Sequence, residues 1–147
     1  METSVSELLN DKGAAVFSLP PSASVLDAVD EMCARHIGAV LVCEGPQPLG
    51  IFSERDLMVR VLLRRLDPVT TRLEHVMTRE LVGVHTDTKV SEAMAIMTKQ
   101  RCRHLPVIAD GRVVGVVSIG DLVRSASRHQ EYEIRLMVDY INGRYPG

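Results

Sequence analysis

Apolar residues recur along this chain in two rhythms. In "SVLDAVDEMCARH" (residues 24–36), Val25, Leu26, Ala28, Val29 and Met32 fall at helical spacing. Ser24 followed three residues later by Asp27 is the signature of a helix N-terminus. Further on, Val90, Ala93, Met94 and Met97 form the matching stripe. After each helix the rhythm shortens to that of strands. "AVLVC" and "LGIFS" flank the turn "EGPQP", while "LPVIA" and "VVGVVS" flank "DGR", in which Asp110-Gly111 is a strong hairpin dipeptide. Short extended pieces, "AVFSLPP" and "LVGVHTD", precede the helices, and second helices, "ERDLMVRVLLRR" and "IGDLVRSAS", follow the strands. The predicted order is β-α-β-β-α, twice.

The two copies align without a gap at an offset of 65. Val25 falls on Val90, Ala28 on Ala93, Met32 on Met97 and Val42 on Val107. Gly50, Ser53, Asp56 and Leu57 fall on Gly115, Ser118, Asp121 and Leu122, so a glycine, two apolar residues and Ser-x-x-Asp occur in both copies. An internal repeat dictates architecture. The expected class is α+β, with a three-stranded sheet and helices in each repeat, the repeats packed pseudo-twofold through their sheets, and a C-terminal helix. The expected organisation is an N-terminal segment 1–15, repeat 1 at 16–66, a linker 67–78, repeat 2 at 79–126 and a helical tail 127–147. A capping box at Thr71 and Glu74 is expected to open a short helical turn in the linker. Tyr132, Leu136, Met137, Tyr140 and Ile141 give the tail an apolar helical stripe.

Composition narrows the function. The 147 residues carry a formal net charge of −2 and only 3% aromatics with no Trp. That balance disfavours a nucleic-acid surface, which would be basic or rich in stacking rings. The basic cluster at 60–65 reads as the solvated edge of a helix. No run is long and apolar enough for a membrane span, and the N-terminus does not read as a signal peptide. Cys33, Cys43 and Cys102 form no CxxC pair, so no zinc site is expected; reduced thiols in a cytoplasmic protein are the favoured reading. His36, His75 and His129 show no ligand spacing. Neither a nucleophile elbow nor a Walker loop nor a metalloprotease helix motif is present, so no enzyme is expected.

With both Ser-x-x-Asp phrases, "RHLPVI" (residues 103–108) and "EHVMT" (residues 74–78) in this order, the chain resembles a stand-alone pair of CBS domains, the module named after cystathionine β-synthase. The resemblance spans roughly residues 16–124, and the tail is similar to that of small bacterial proteins of this type. It implies a regulatory, non-catalytic module that binds an adenosine-type ligand (AMP, ADP, ATP, S-adenosylmethionine or NAD(H)) in clefts between the repeats. It also implies association into a homodimer and control of a separate, unidentified partner protein. Site residues carried by the resemblance are Ser53, Arg55 and Asp56 with His85, Arg103, His104 and Pro106, and Ser118 and Asp121 with Pro20, Gly38 and Ala39. The aspartates would hold the ribose. Arg55, Arg103 and His104 would favour a phosphorylated ligand at Asp56. The competing reading is a ligand-independent dimeric interaction or scaffold protein in which Ser-x-x-Asp only caps helices.

Overall fold

The computed structural model describes residues 3–12 and 16–127, together with Val138 and Ile141. Two compact units emerge: residues 16–81, and the N-terminal segment together with residues 82 onward. Each holds one three-stranded mixed sheet.

In the first unit, β1 (Ser18–Leu19) lies parallel to β2 (Ala39–Glu44), which pairs antiparallel with β3 (Gln47–Ser53). Helix α2 (Val25–Arg35) crosses between β1 and β2. Its capping box forms as the spacing predicts: Asp27 N donates to Ser24 Oγ at 3.0 Å and Ser24 N to the Asp27 carboxylate at 3.3 Å. The second unit repeats this with β4 (Val84–His85), α4 (Val90–Gln100), β5 (His104–Ala109), β6 (Arg112–Ser118) and α5 (Ile119–Ser127). The register is kept residue for residue. Gly50 faces Val42 as Gly115 faces Val107, and the ladder shifts at Val42/Cys43 and at Val107/Ile108. The hairpin turns differ chemically. Gly45 takes φ 59° ahead of Pro46, whereas Asp110 and Gly111 take 53° and 75°, the pair of positive angles that an Asp-Gly turn supplies.

The repeats part company after the Ser-x-x-Asp phrase. The expected helix over 54–65 begins as one α turn, α3 (Glu54–Asp56), and continues as a π-helix, Leu57–Leu62. Its counterpart α5 stays α-helical. The linker also departs from expectation. Its helical turn spans Leu73–His75 with Arg72 as the cap residue, and no side chain caps it, so the Thr71–Glu74 box does not form. The backbone explains this. Thr71 O accepts from Val25 N, and Glu74 N donates to Pro21 O, which ties the segment to the start of α2 instead.

Segments expected to lie outside the repeats complete their cores. Helix α1 (Val5–Lys12) buries Val5, Leu8 and Leu9 among Val84, Val90, Met97, Val107 and Leu122. The linker buries Leu73, Val76 and Met77 among Val25, Met32, Val42, Phe52 and Val61. The two insertions are equivalent in detail. Leu73 N donates to Ala23 O as Val5 N does to Thr88 O, and Val25 N donates to Thr71 O as Val90 N does to Thr3 O. Both segments read Thr-x-apolar-x-x-apolar-apolar, Thr3 to Leu9 and Thr71 to Met77. A half of about 50 residues is marginal alone, and each gains three buried apolar side chains this way. The glycine of each repeated phrase makes room for its insert. A Cβ on Gly50 would come 2.7 Å from Thr78 O, and one on Gly115 would come 2.6 Å from a Leu9 methyl.

Candidate ribose site on the paired Ser-x-x-Asp turns

Each Ser-x-x-Asp phrase ends a strand and opens a helix, so its polar groups gather at the strand's end. Glu54 N donates to Gly38 O at 3.0 Å, and Ile119 N donates to Arg103 O at 2.9 Å. Ala39 pairs with Ser53 and His104 with Ser118. Gly38 and Ala39 therefore stand beside Ser53 and Asp56, as Arg103 and His104 stand beside Ser118 and Asp121. Pro106 is buried two residues along β5 from His104, opposite Val116. Pro20 follows β1, His85 ends β4, and both are exposed.

Asp56 and Asp121 are each only 6% exposed, and with Ser125 they make up the buried polar residues among those described. A charge in such a position must be hydrogen-bonded. Asp56 Oδ2 accepts from Ser53 N at 3.0 Å and from Ser53 Oγ at 3.2 Å, and Asp56 N donates back to Ser53 Oγ at 3.2 Å. Asp56 Oδ1 accepts from Thr78 Oγ1 at 2.9 Å and faces Arg60 Nε at 3.4 Å. In the second repeat, Asp121 Oδ2 accepts from Ser118 N at 2.8 Å, Asp121 N donates to Ser118 Oγ at 3.1 Å, and Arg124 Nη2 donates to Asp121 Oδ1.

Capping is thus part of what these residues do, but burial exceeds what capping needs. Ser24 and Asp27 build the same box at α2 with the carboxylate in solvent. A cap is typically worth about 1 kcal/mol. An ionised carboxylate is an acceptor only, with two oxygens. Held at a strand's end, it suits a neutral group with two adjacent hydroxyls, and hydrogen bonds to a charged acceptor contribute about 1.5–3 kcal/mol each.

Three residues at these carboxylates were missed by sequence reasoning. Arg55 is exposed, and the cation on Asp56 is Arg60, one turn on. Arg124 does the same for Asp121, and Thr78 closes the first site from the linker. The arginines carried a signal, since charges three or four apart on a helix meet. Arg60, Glu74, His75, Met77, Thr78, Arg79 and Glu80 line an open cleft of about 410 Å³ beside Asp56. Among the described residues, no cluster of His, Cys, Asp and Glu could hold a metal ion, and no helix is long and apolar enough to cross a membrane.

Two sheet-and-helix repeats, each carrying a Ser-x-x-Asp turn with a buried aspartate, define a tandem-repeat module. The CBS domain family model matches residues 5–63 and 73–128, and the chain belongs to that family. Those matches start at Val5 and Leu73, the first buried residues of the two inserts. The chain is 34% identical over 97% of its length to the Arabidopsis thaliana CBS domain-containing protein CBSX3, mitochondrial, of which it covers 74%. Among solved structures it is similar to the CBS domain protein NE2398, with a TM-score of 0.83 and 38% identity over 86% of this chain and 99% of that one. It is also similar to the CBS domain protein PAE2072 from Pyrobaculum aerophilum complexed with AMP, with a TM-score of 0.74 and 27% identity over 91% of this chain and 96% of that one.

Proposed function

We propose that this protein is a non-catalytic regulatory module that binds an adenosine-type ligand through Asp56, Asp121 or both, and passes its occupancy to a separate partner protein. The observation that carries the reading is the burial of the two equivalent carboxylates, which the solvent-exposed cap Asp27 does not share. The AMP complex of the Pyrobaculum protein supports the ligand class. In this reading Asp56 and Asp121 accept the ribose hydroxyls, with Ser53 and Ser118 orienting them. Arg55, Arg103 and His104 supply positive charge towards a phosphate. Gly38, Ala39, Pro20, Pro106 and His85 line the ligand. AMP, ADP, ATP, S-adenosylmethionine and NAD(H) share the adenosine that this arrangement would recognise.

The module is also proposed to work as a homodimer in a reducing compartment such as the cytoplasm. Support for a second copy comes from Met58, Val59, Leu62, Leu63, Leu66 and Val69, six exposed apolar side chains within twelve residues, interspersed with Arg64, Arg65 and Asp67. A twofold interface apposes the same patch on both copies, and a segment that carries both charge signs offers each copy an opposite charge to meet. The three free thiols fit a reducing setting.

The test is thermal unfolding with AMP, ADP, ATP, S-adenosylmethionine and NADH. A ligand at a hundred times its dissociation constant adds about 2.7 kcal/mol, or on the order of 5–20 °C for units of this size. A shift for at least one ligand, lost on Asp56→Ala or Asp121→Ala, is expected. No shift for any of them, with folded variants, leaves the scaffold reading.

A further inference from the structure

The carboxylate that is to receive a ribose is engaged from within the chain. Asp56 Oδ1 holds both the Thr78 hydroxyl at 2.9 Å and the Arg60 guanidinium at 3.4 Å. Arg60 reaches further. Its Nη1 donates to Met77 O at 3.1 Å, so one side chain spans from Asp56 to the linker. The linker is in turn bound to β3 by reciprocal bonds, Ile51 N to Thr78 O at 3.0 Å and Thr78 N to Ile51 O at 2.9 Å. Asp56, Arg60, Met77 and Thr78 form one connected network.

The second repeat meets the same need with a different residue. In the gapless alignment Arg60 falls on Ser125, and Arg124 falls on Val59. The arginines are not equivalent positions, yet each reaches Oδ1 of its own aspartate, from i+4 in the π-helix and from i+3 in the α-helix. The pairing therefore recurs although the helix geometry changed beneath it.

We propose that Arg60 is a latch on the Asp56 site. It competes with an incoming diol for Oδ1, and its displacement breaks the side-chain tie that runs from Asp56 to Met77 O in the linker. Arg60 is 40% exposed and borders the open cleft beside Asp56, so the released guanidinium has room to swing. Occupancy at a small site is thereby converted into loosening of a core-forming segment. This inference rests on the adenosine reading above and adds a route by which binding would reach the rest of the chain.

The latch makes a prediction of unusual sign: removing a residue that touches the site tightens binding. Adenosine is titrated by calorimetry into Asp121→Ala, which confines binding to Asp56, and into the same variant carrying Arg60→Met or Arg60→Lys. Arg60→Met should tighten adenosine by roughly 1.5- to 5-fold, the range set by a partly exposed ion pair. Arg60→Lys should fall between. Amide exchange at Ile51 and Thr78 should rise in wild-type protein on saturation with adenosine, and should already be raised in Arg60→Met without it. Unchanged or weakened binding in Arg60→Met, or exchange at Ile51 and Thr78 indifferent to both ligand and variant, overturns the latch while leaving the site reading in place. Adenosine and AMP binding to none of these variants overturns the latch, and binding to neither these variants nor the wild-type protein overturns the site reading as well.

Discussion

Substituting alanine for Gly50 and Gly115 separates the roles of two glycines that the repeat makes look identical. A Cβ on Gly50 would sit 2.7 Å from the Thr78 carbonyl oxygen and 2.9 Å from Met77 Sδ. The carbonyl belongs to a backbone bonded twice to Ile51 and cannot retreat without breaking those bonds. Overpacking of this kind costs about 1–3 kcal/mol, roughly 2–8 °C per kcal/mol for units of this size. For a Cβ on Gly115 the nearest atoms are the Leu9 methyls, at 2.6 and 3.0 Å. Leu9 is 5% exposed, and Leu9→Ala alone should cost about 2–5 kcal/mol. In the double variant the alanine Cβ occupies part of the space that Leu9 vacates, so the costs should fail to add by about 0.5–3 kcal/mol. Denaturant unfolding of Gly50→Ala, Gly115→Ala, Leu9→Ala and Gly115→Ala/Leu9→Ala measures this directly. Strict additivity of the Gly115 and Leu9 changes, or a Gly50→Ala protein as stable as wild type, would refute the account of how the inserts seat.

Deleting residues 3–12 should destabilise the second repeat selectively, because Val5, Leu8 and Leu9 leave its core; amide exchange should quicken across β5 and β6 but not across β2 and β3. Burial raises the Cys43 and Cys102 thiols above their ordinary value of 9.0, outweighing the bonds from Ser18 and at His104, respectively, that act to lower them. Exposed Cys33 should then react first with a thiol reagent, with the other two lagging until well above pH 9. The stability that these neutral thiols contribute is present at neutral pH and is lost as pH rises through their raised values, which an alkaline melting series reads. Leu63→Glu, at a side chain 76% exposed, should leave the melting temperature within a degree or two while converting a dimer to monomer in sedimentation; a dimer that survives it places the interface elsewhere.

Legibility in the sequence followed the range of the interactions. The α2 box, both hairpins and the offset of 65 depend on residues close in sequence, and each formed where the pattern put it. Elements fixed by distant contacts were harder to read. The segment at Thr3–Leu9 carries the same apolar spacing as Thr71–Met77, but at an offset of 68 it falls outside the main alignment. Its role appears only once Leu9 lies against Gly115. The Thr71–Glu74 box looked sound locally and lost to the backbone bonds from Glu74 N to Pro21 O and from Val25 N to Thr71 O. The π-helix had no local signal: Leu57, Val61 and Leu62 suit an α-helix equally well, and burial of Val61 among Leu73 and Val76 accompanies the wider turn. Ser53, Asp56, Ser118 and Asp121 could be named from the repeat, and Arg60 and Arg124 from their spacing to the aspartates, whereas Thr78 needed its carboxylate in place.

The central claim is that Asp56 and Asp121 are buried to hold a ligand rather than to cap a helix. Calorimetric titration of AMP into wild type, Asp27→Ala, Asp56→Ala and Asp121→Ala tests it most directly, because Asp27 makes the same cap in solvent. The account predicts binding that survives Asp27→Ala and falls by about tenfold or more in at least one of the other two, the loss of one charge-assisted bond being about 1.5–3 kcal/mol. AMP affinity that is the same in all four folded proteins would contradict it.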